Sequence, residues 1–159
     1  SGNNAMLLLQ FQAGPDRYGL DIGQVIEVSS LVSLRAVPHA PPQVAGTFNY
    51  RGTLTPVVDL TVLLTGSPSR PRMSTRIILV NYQGEDGRFH ILGLLAEAVT
   101  EMIECKKENL QQPVVGVDGA AYLGDTIFDE RGSLQVLDME RLLTRDLLFT
   151  LFPPEVTNG

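Results

Sequence analysis

Residues 51–60 read RGTLTPVVDL, and residues 131–139 read RGSLQVLDM. Both segments begin with Arg-Gly, continue into a short apolar run, and reach an Asp that precedes a helical spacing of apolar residues. A second repeat lies N-terminal to each: residues 19–28 read GLDIGQVIEV, and residues 93–102 read GLLAEAVTEM. The motifs recur in one order, with one residue fewer between the Arg and the Asp of the second copy. Two similar units in tandem predict two small β-barrels built alike.

Most of the remaining chain follows the period-two pattern of short strands, interrupted by Gly and Pro. The fold class predicted is therefore all-β. A barrel of half this chain buries little surface by itself, so we expect the two barrels to pack together. The segments predicted as strands are 7–12, 18–22, 53–60, 76–82, 88–95 and 133–137.

One predicted strand carries a proline. In the segment 53–60, the alternation places Leu54, Val58 and Leu60 on one face, together with Pro56. Because Pro56 has no amide proton to donate to a ladder, we expect a sheet edge or a bulge at that position.

The candidate boundary between the two units is a Ser-, Pro- and Gly-rich connector at residues 66–71. We predict a single domain in which the terminal segments complete the barrels. The predicted ranges are 1–5 for an expression-tag remnant, 6–150 for the domain, about 18–70 for barrel 1, about 71–138 for barrel 2, and 151–159 for a C-terminal tail.

Helical signals are few. Residues 139–147 have the apolar spacing of an amphipathic helix, which predicts a short C-terminal helix. A shorter turn is predicted at 60–64. Asp59 and Asp138 stand directly before these segments, where a carboxylate satisfies free backbone N–H groups. We therefore interpret them as N-caps and not as a catalytic carboxylate pair.

The composition limits the classes of partner that the chain is expected to bind. The net charge is −6, from 12 basic and 18 acidic residues, so the chain has no basic surplus with which to bind nucleic acid. No run of 18 apolar residues is present, so direct membrane insertion is not expected. A lone cysteine, Cys105, fits a reducing compartment, and we expect a cytoplasmic location.

The usual catalytic patterns are missing together. The sequence has no phosphate-binding glycine loop and no Gly-x-Ser-x-Gly elbow, so we expect no enzyme activity and no cofactor. The two histidines, His39 and His90, lack further ligands at metal-binding spacing, so no metal site is predicted.

Three blocks resemble the CheW-like family: residues 18–28 (YGLDIGQVIEV), 37–41 (VPHAP) and 44–60 (VAGTFNYRGTLTPVVDL). The resemblance implies two SH3-like five-stranded barrels around an apolar core. It also implies a non-enzymatic adaptor with two partners, the regulatory domain of a CheA-type histidine kinase and the cytoplasmic hairpin tip of a methyl-accepting receptor.

The resemblance also implies site residues. Arg51 is the first candidate, on a turn where Gly52 is expected to adopt positive φ. Arg51 either pairs only with Glu27, as a structural contact, or also forms part of an interface. Val25 is open to a plain core role as well. The implied receptor- or partner-binding residues are Val25, Glu27, Asn49 and Arg51, with Val99 and Glu101 on the other wall of the same groove.

Two alternatives keep part of this interpretation. In the first, the chain serves a non-flagellar chemosensory pathway with a surface-sensing or second-messenger output. A small ligand-binding β-barrel protein is the other alternative, which a deep apolar pocket between the barrels favours and a filled core disfavours.

Overall fold

The structure is a computed structural model, and it describes residues 4–84, 87–112 and 123–153. Strands form most of these ranges, and the helices are short. The strands are β1 (Ala5–Ala13), β2 (Asp16–Asp21), β3 (Val25–Ser30), β4 (Val44–Tyr50), β5 (Thr53–Asp59), β6 (Arg76–Gln83), β7 (Phe89–Lys106), β8 (Leu123–Asp129) and β9 (Gly132–Leu137), and the helices are α1 (Leu60–Thr65), α2 (Met139–Leu142) and α3 (Arg145–Leu151).

Barrel 1 consists of β3, β4, β5, β6 and the first half of β7. Its strands pair in the order β3-β6-β7-β5-β4, and the β5–β7 pair is parallel. Arg35, just after β3, closes the sheet onto β4 through two backbone hydrogen bonds with Thr47, of 2.8 and 2.9 Å. Closure leaves no long free edge on this barrel.

Barrel 2 is built in the same way from β1, β2, β8, β9 and the second half of β7. Its parallel pair is β2–β9, and its closing bridge joins Gln111 to Thr126 through two hydrogen bonds of 2.8 Å. The predicted all-β fold of two five-stranded barrels is confirmed.

The two sequence units exchange strands. From the first unit, β1 and β2 complete barrel 2, whereas β6 and the first half of β7 come from the second unit and complete barrel 1. The barrels therefore differ from the predicted ranges of 18–70 and 71–138. The connector at 66–71 separates the repeats along the chain, but strands on either side of it pair with each other. The prediction rested on sequence periodicity, which does not show which strands pair.

Strand β7 passes through both barrels over 18 residues. It bends at Ala98, whose φ of 53° lies in the left-handed region that residues with a Cβ seldom adopt. The corresponding point in the first unit is the 3₁₀ turn Ile22–Gln24, which breaks the chain into β2 and β3. One long bent strand thus replaces two strands and a turn.

The repeated glycines lie where two parallel strands approach closely. A Cβ on Gly93 would lie 2.9 Å from Cγ2 of Val57, and a Cβ on Gly19 would lie 3.0 Å from Cδ2 of Leu134. A Cβ at either position would force a neighbouring side chain to shift, so the close approach favours Gly at the same place in both units.

Three clusters of buried side chains form the core. The largest lies between the barrels and continues under α2 and α3, and one smaller cluster fills each barrel. The predicted packing of one barrel on the other is confirmed, because side chains from both barrels fill the space between them. Fully buried members of the central cluster include Phe11, Leu20, Val58, Leu60, Ile78, Leu92 and Leu94.

Strand β5 is buried on both faces over most of its length. Val58 belongs to the central cluster, as predicted for its face, and Val57 belongs to the barrel 1 cluster. Leu54, predicted on the same face as Val58, is 72% exposed because it lies at the hairpin end of the strand. Pro56 pairs with Thr47 on one side only, and pairing with β7 begins one residue later, so the proline lies at a local edge as predicted.

The predicted C-terminal helix is two helices. Leu143 and Thr144 have extended backbone, and the Thr144 hydroxyl accepts a hydrogen bond from the Leu147 N–H at 3.2 Å as the N-cap of α3. The apolar spacing survives the break because α2 and α3 both face the central cluster.

Secondary structure extends into both predicted terminal segments, whose boundaries stay predictions. Ala5, assigned to a tag remnant, begins β1 and pairs with Lys106. Leu151, assigned to the tail, ends α3, and the Phe152 ring stacks on His90 with 4.4 Å between ring centroids. Among the described residues, no helix is long and apolar enough to cross a membrane.

Candidate functional site

The predicted residues of barrel 1 meet at the β4–β5 hairpin. The Arg51 guanidinium donates to Oε2 of Glu27 on β3 at 2.7 Å, and the Tyr50 hydroxyl donates to the same oxygen at 2.9 Å. The guanidinium also lies over the Tyr50 ring, 5.2 Å from its centroid. We call Glu27, Tyr50 and Arg51 the first clasp; it fixes the hairpin to β3.

A two-residue turn, Arg51-Gly52, joins the two strands of this hairpin. Arg51 (φ 49°) and Gly52 (φ 85°) are both left-handed, as a two-residue type I′ hairpin requires. Positive φ at Gly52 was predicted, and at Arg51 it was not. The side chain of Asn49 accepts a hydrogen bond from the Gly52 N–H at 2.8 Å, so Asn49 holds the turn that presents Arg51.

The first clasp is partly open to solvent. The Arg51 side chain is 71% exposed and that of Glu27 is 36% exposed, so a partner has access to both charges. Burial and the hydrogen bond to Glu27 raise the pKa of Tyr50 above its ordinary value. The phenol therefore stays protonated and continues to donate at neutral pH.

Barrel 2 carries an equivalent contact. Arg131 donates to Oε1 of Glu101 at 2.7 Å, and this pair is the second clasp. Its hairpin has a loop of Glu130 and Arg131, so the arginine stands one position later than in the first hairpin. This shift explains the residue missing between Arg and Asp in the second sequence repeat. The hydrogen bond from Arg131 to Glu101 raises the pKa of Arg131.

The two predicted valines, Val25 and Val99, pack in the core beside the clasps and not on the surface. Val99 is buried in the central cluster, and Val25 is partly buried against it. The apolar side chains that β3 exposes are instead Ile26 and Val28, at 37% and 41% exposure. Sequence reasoning missed Val28, which alternation places on the face of β3 opposite to Glu27.

The six predicted residues divide between the barrels. Four belong to barrel 1 and two to barrel 2, and in the described parts of the chain no hydrogen bond or ion pair joins the first clasp to the second. The common groove stays a prediction. The barrel 1 residues are Val25, Glu27, Asn49 and Arg51, and the barrel 2 residues are Val99 and Glu101.

A charged contact in barrel 2 escaped sequence reasoning altogether. The Arg17 guanidinium forms a fork on Asp129, with N–O distances of 2.8 and 2.7 Å, and also donates to Oε1 of Gln10 at 2.9 Å. The hydrogen bonds from Arg17 lower the pKa of Asp129 to about 2. No local signal marks this pair, because its members are 112 residues apart in the chain.

The tempting catalytic residues have structural roles. Asp59 accepts from the backbone N–H groups of Thr61 and Val62, and Asp138 accepts from that of Glu140, so both predicted N-caps are confirmed. In the ranges that the structure describes, no three His, Cys, Asp or Glu residues are grouped as metal ligands.

Known proteins resemble this chain over most of its length. A family model described as the CheW-like domain matches residues 7–147. Chemotaxis protein CheW of Treponema pallidum (strain Nichols) is 28% identical over 144 residues, covering 86% of this chain and 81% of that protein. Chemotaxis protein CheW of Klebsiella aerogenes is 27% identical over 141 residues, covering 87% of this chain and 81% of that protein.

A solved structure has the same architecture. The crystal structure of scaffolding protein TtCheW from Thermoanaerobacter tengcongensis matches with a TM-score of 0.76 and 26% identity, covering 89% of this chain and 90% of that one. The SH3-like form of the two barrels and the predicted resemblance are thereby confirmed. The chain belongs to the CheW-like family of chemotaxis adaptor proteins.

Proposed function

We propose that this protein links a CheA-type histidine kinase to methyl-accepting receptors by holding both, without catalysing a reaction. The observation that carries the proposal is the first clasp: an exposed, geometrically fixed Arg–Glu pair on the rim of a rigid barrel, bordered by exposed apolar residues. Arginine beside apolar side chains is a common composition of protein-binding surfaces.

The receptor hairpin tip is assigned to the first clasp. Arg51 and Glu27 offer charge to a polar helix surface, and Ile26 and Val28 offer apolar side chains on the other face of β3 to a partner that wraps this edge strand. A helix tip that presents both kinds of group fits this combination. Asn49 contributes by shaping the turn, and Val25 contributes by supporting β3 from the core side.

The opposite wall of the receptor groove is assigned to barrel 2. Glu101 is 43% exposed and held by Arg131, so it has access to a partner. Val99 acts only as a support, because just 8% of it is exposed. The strand interleaving favours this arrangement, since β7 carries both residues and spans both barrels.

The kinase regulatory domain is assigned to an edge of barrel 2. A partner of like fold fits an exposed strand rim, where Met102 and Phe128 are 57% and 64% exposed. With both partners held on one rigid core, a shift at the receptor contact reaches the kinase through packing. The cytoplasmic side of the membrane is the location that this role implies.

The test is the charge reversal Arg51→Asp. It places two carboxylates against each other at the first clasp, so receptor-dependent control of kinase activity should fall by about tenfold or more. Because Arg51 is mostly exposed, the midpoint of thermal unfolding should change little. Kinase activity is measured in reconstituted receptor–adaptor–kinase assemblies.

The matched control is Arg141→Asp. Arg141 has similar exposure, 66%, and also pairs with a carboxylate, Asp138, but it lies on α2 away from both clasps. It should leave kinase control intact. A folded Arg51→Asp protein with normal receptor-dependent control would contradict the receptor assignment.

A further inference from the structure

The two clasps rest on different supports. The pairing register shows which residues correspond: Gln10 pairs with Glu101 as Leu79 pairs with Glu27. Arg17 and Ile91 also correspond, because each lies two residues before the repeated glycine of its unit, Gly19 or Gly93.

The third correspondence comes from the hairpins. Asp129 closes the β8–β9 hairpin against Gly132, as Tyr50 closes the β4–β5 hairpin against Thr53. Barrel 1 therefore has a trio that packs in its apolar cluster, which we call the apolar trio although the hydroxyl of Tyr50 belongs to the first clasp, and barrel 2 has a polar trio in the same place. The apolar trio is Leu79, Ile91 and Tyr50, and the polar trio is Gln10, Arg17 and Asp129.

The polar trio leads directly to the second clasp. Oδ1 of Asp129 accepts from Arg17 at 2.8 Å and from the backbone N–H of Arg131 at 2.8 Å. Arg131 in turn donates to Glu101 at 2.7 Å. The Arg17 side chain is only 10% exposed and Gln10 only 2%, so this chain of contacts starts inside the barrel and ends at its surface.

Stability alone does not explain the polar trio. Barrel 1 closes its own two-residue hairpin with an apolar trio, although both loop residues there are left-handed and neither loop residue of the β8–β9 hairpin is. A partly buried ion pair often stabilises no better than apolar side chains of similar volume. A forked Arg–carboxylate contact does, however, fix orientation, because two parallel hydrogen bonds permit one geometry.

From this geometry we propose that Arg17 is a positioning residue: through Asp129 it sets the β8–β9 hairpin so that Arg131 holds Glu101 in the orientation that the receptor hairpin tip binds. The proposal rests on the proposed function, since it deepens the role of barrel 2. It also makes the two clasps non-equivalent, so that a partner fitted to the second clasp does not fit the first.

Hydrogen exchange tests the positioning step without any partner. In Arg17→Gln, backbone amides at residues 130–132 should exchange about tenfold faster than in the wild type, because the hairpin loses its charged anchor. Amides at residues 51–53 of the first hairpin serve as the internal control and should not change. Equal exchange at 130–132 in variant and wild type would overturn the proposal, whatever binds to the protein.

A double-mutant cycle tests the functional step. Affinity for the cytoplasmic hairpin tip of the cognate receptor is measured by calorimetry for Arg17→Gln, Glu101→Gln and the double variant of the full chain. Because Arg17 acts through the second clasp, the losses of affinity in the two single variants should not add. The double variant should bind about as tightly as the single variant with the lower affinity. In a control cycle that pairs Arg17→Gln with Glu27→Gln in barrel 1, the losses of affinity should be additive.

The apolar graft separates positioning from folding. The triple variant Gln10→Leu, Arg17→Ile, Asp129→Tyr copies the barrel 1 trio into barrel 2. It should keep a cooperative unfolding transition and yet bind the receptor hairpin tip about tenfold more weakly. Wild-type affinity in this variant, or additivity in both cycles, would overturn the functional step. No receptor binding by the wild type would instead refute the receptor assignment and leave the exchange result to decide on Arg17.

Discussion

At the residue scale, Arg17 and Asp129 show how one contact joins distant parts of the chain. Arg17 lies on β2 near the N-terminus, and Asp129 ends β8. Their fork is partly shielded, with side-chain exposures of 10% and 32%. The hydrogen bonds from Arg17 lower the pKa of Asp129 by more than partial burial raises it.

The lowered pKa predicts how the stability depends on pH. Asp129 has an ordinary pKa of 3.8 when unfolded and about 2 when folded. Its contribution to stability is therefore fully present above pH 3.8 and is lost as the pH falls toward 2. The stability difference between wild type and Asp129→Asn, from urea unfolding, should be constant between pH 5 and 7 and shrink below about pH 4. A difference that grows on acidification would contradict this assignment.

At the element scale, the two N-cap aspartates differ in how much they hold. Asp59 is 4% exposed and accepts from the N–H groups of Thr61 and Val62, and also from the N–H and hydroxyl of Ser69 in the connector. The Asp138 side chain accepts a hydrogen bond from a single N–H group of its helix, that of Glu140, and it forms an exposed ion pair with Arg141. The first cap therefore anchors both α1 and the connector that follows it.

Alanine substitutions at the two caps form a matched pair. Asp59→Ala leaves several buried donors unsatisfied and should lower the free energy of unfolding by about 3 kcal/mol. Asp138→Ala removes one exposed cap and should cost about 1 kcal/mol. Urea denaturation of both variants gives the comparison, and equal costs would show that the connector contacts of Asp59 add nothing.

At the scale of the whole molecule, interleaving makes the two repeats inseparable. Strands β1 and β2 from the first repeat pair with β7 and β9 from the second, and the central cluster draws on both. The chain is therefore one cooperative body, although its sequence divides cleanly at the connector.

A cut in the connector should leave the protein intact as one particle. A protease site inserted between Ser67 and Pro68, both exposed, permits cleavage without touching a strand. The two fragments should co-elute at the size of the uncut protein in native gel filtration and separate only in urea. Separation under native conditions would contradict the exchange of strands between the repeats.

Several features were determined by the sequence alone. The apolar alternation and the two Arg-Gly echoes predict paired barrels, because period and order are local properties of a chain. The helix caps at Asp59 and Asp138 follow from local hydrogen bonding, and so does the positive φ of Gly52. The Glu27–Arg51 pair was predicted as one of two interpretations of Arg51, with help from the family resemblance.

Other features were decided only by the tertiary structure. Which barrel receives β2 and which receives β6 depends on pairing between segments far apart, and no local pattern encodes that pairing. For the same reason, the fork between Arg17 and Asp129 was invisible in the sequence: it exists because two strands from different repeats meet in one barrel. Local chemistry specified the elements, and long-range packing selected their partners.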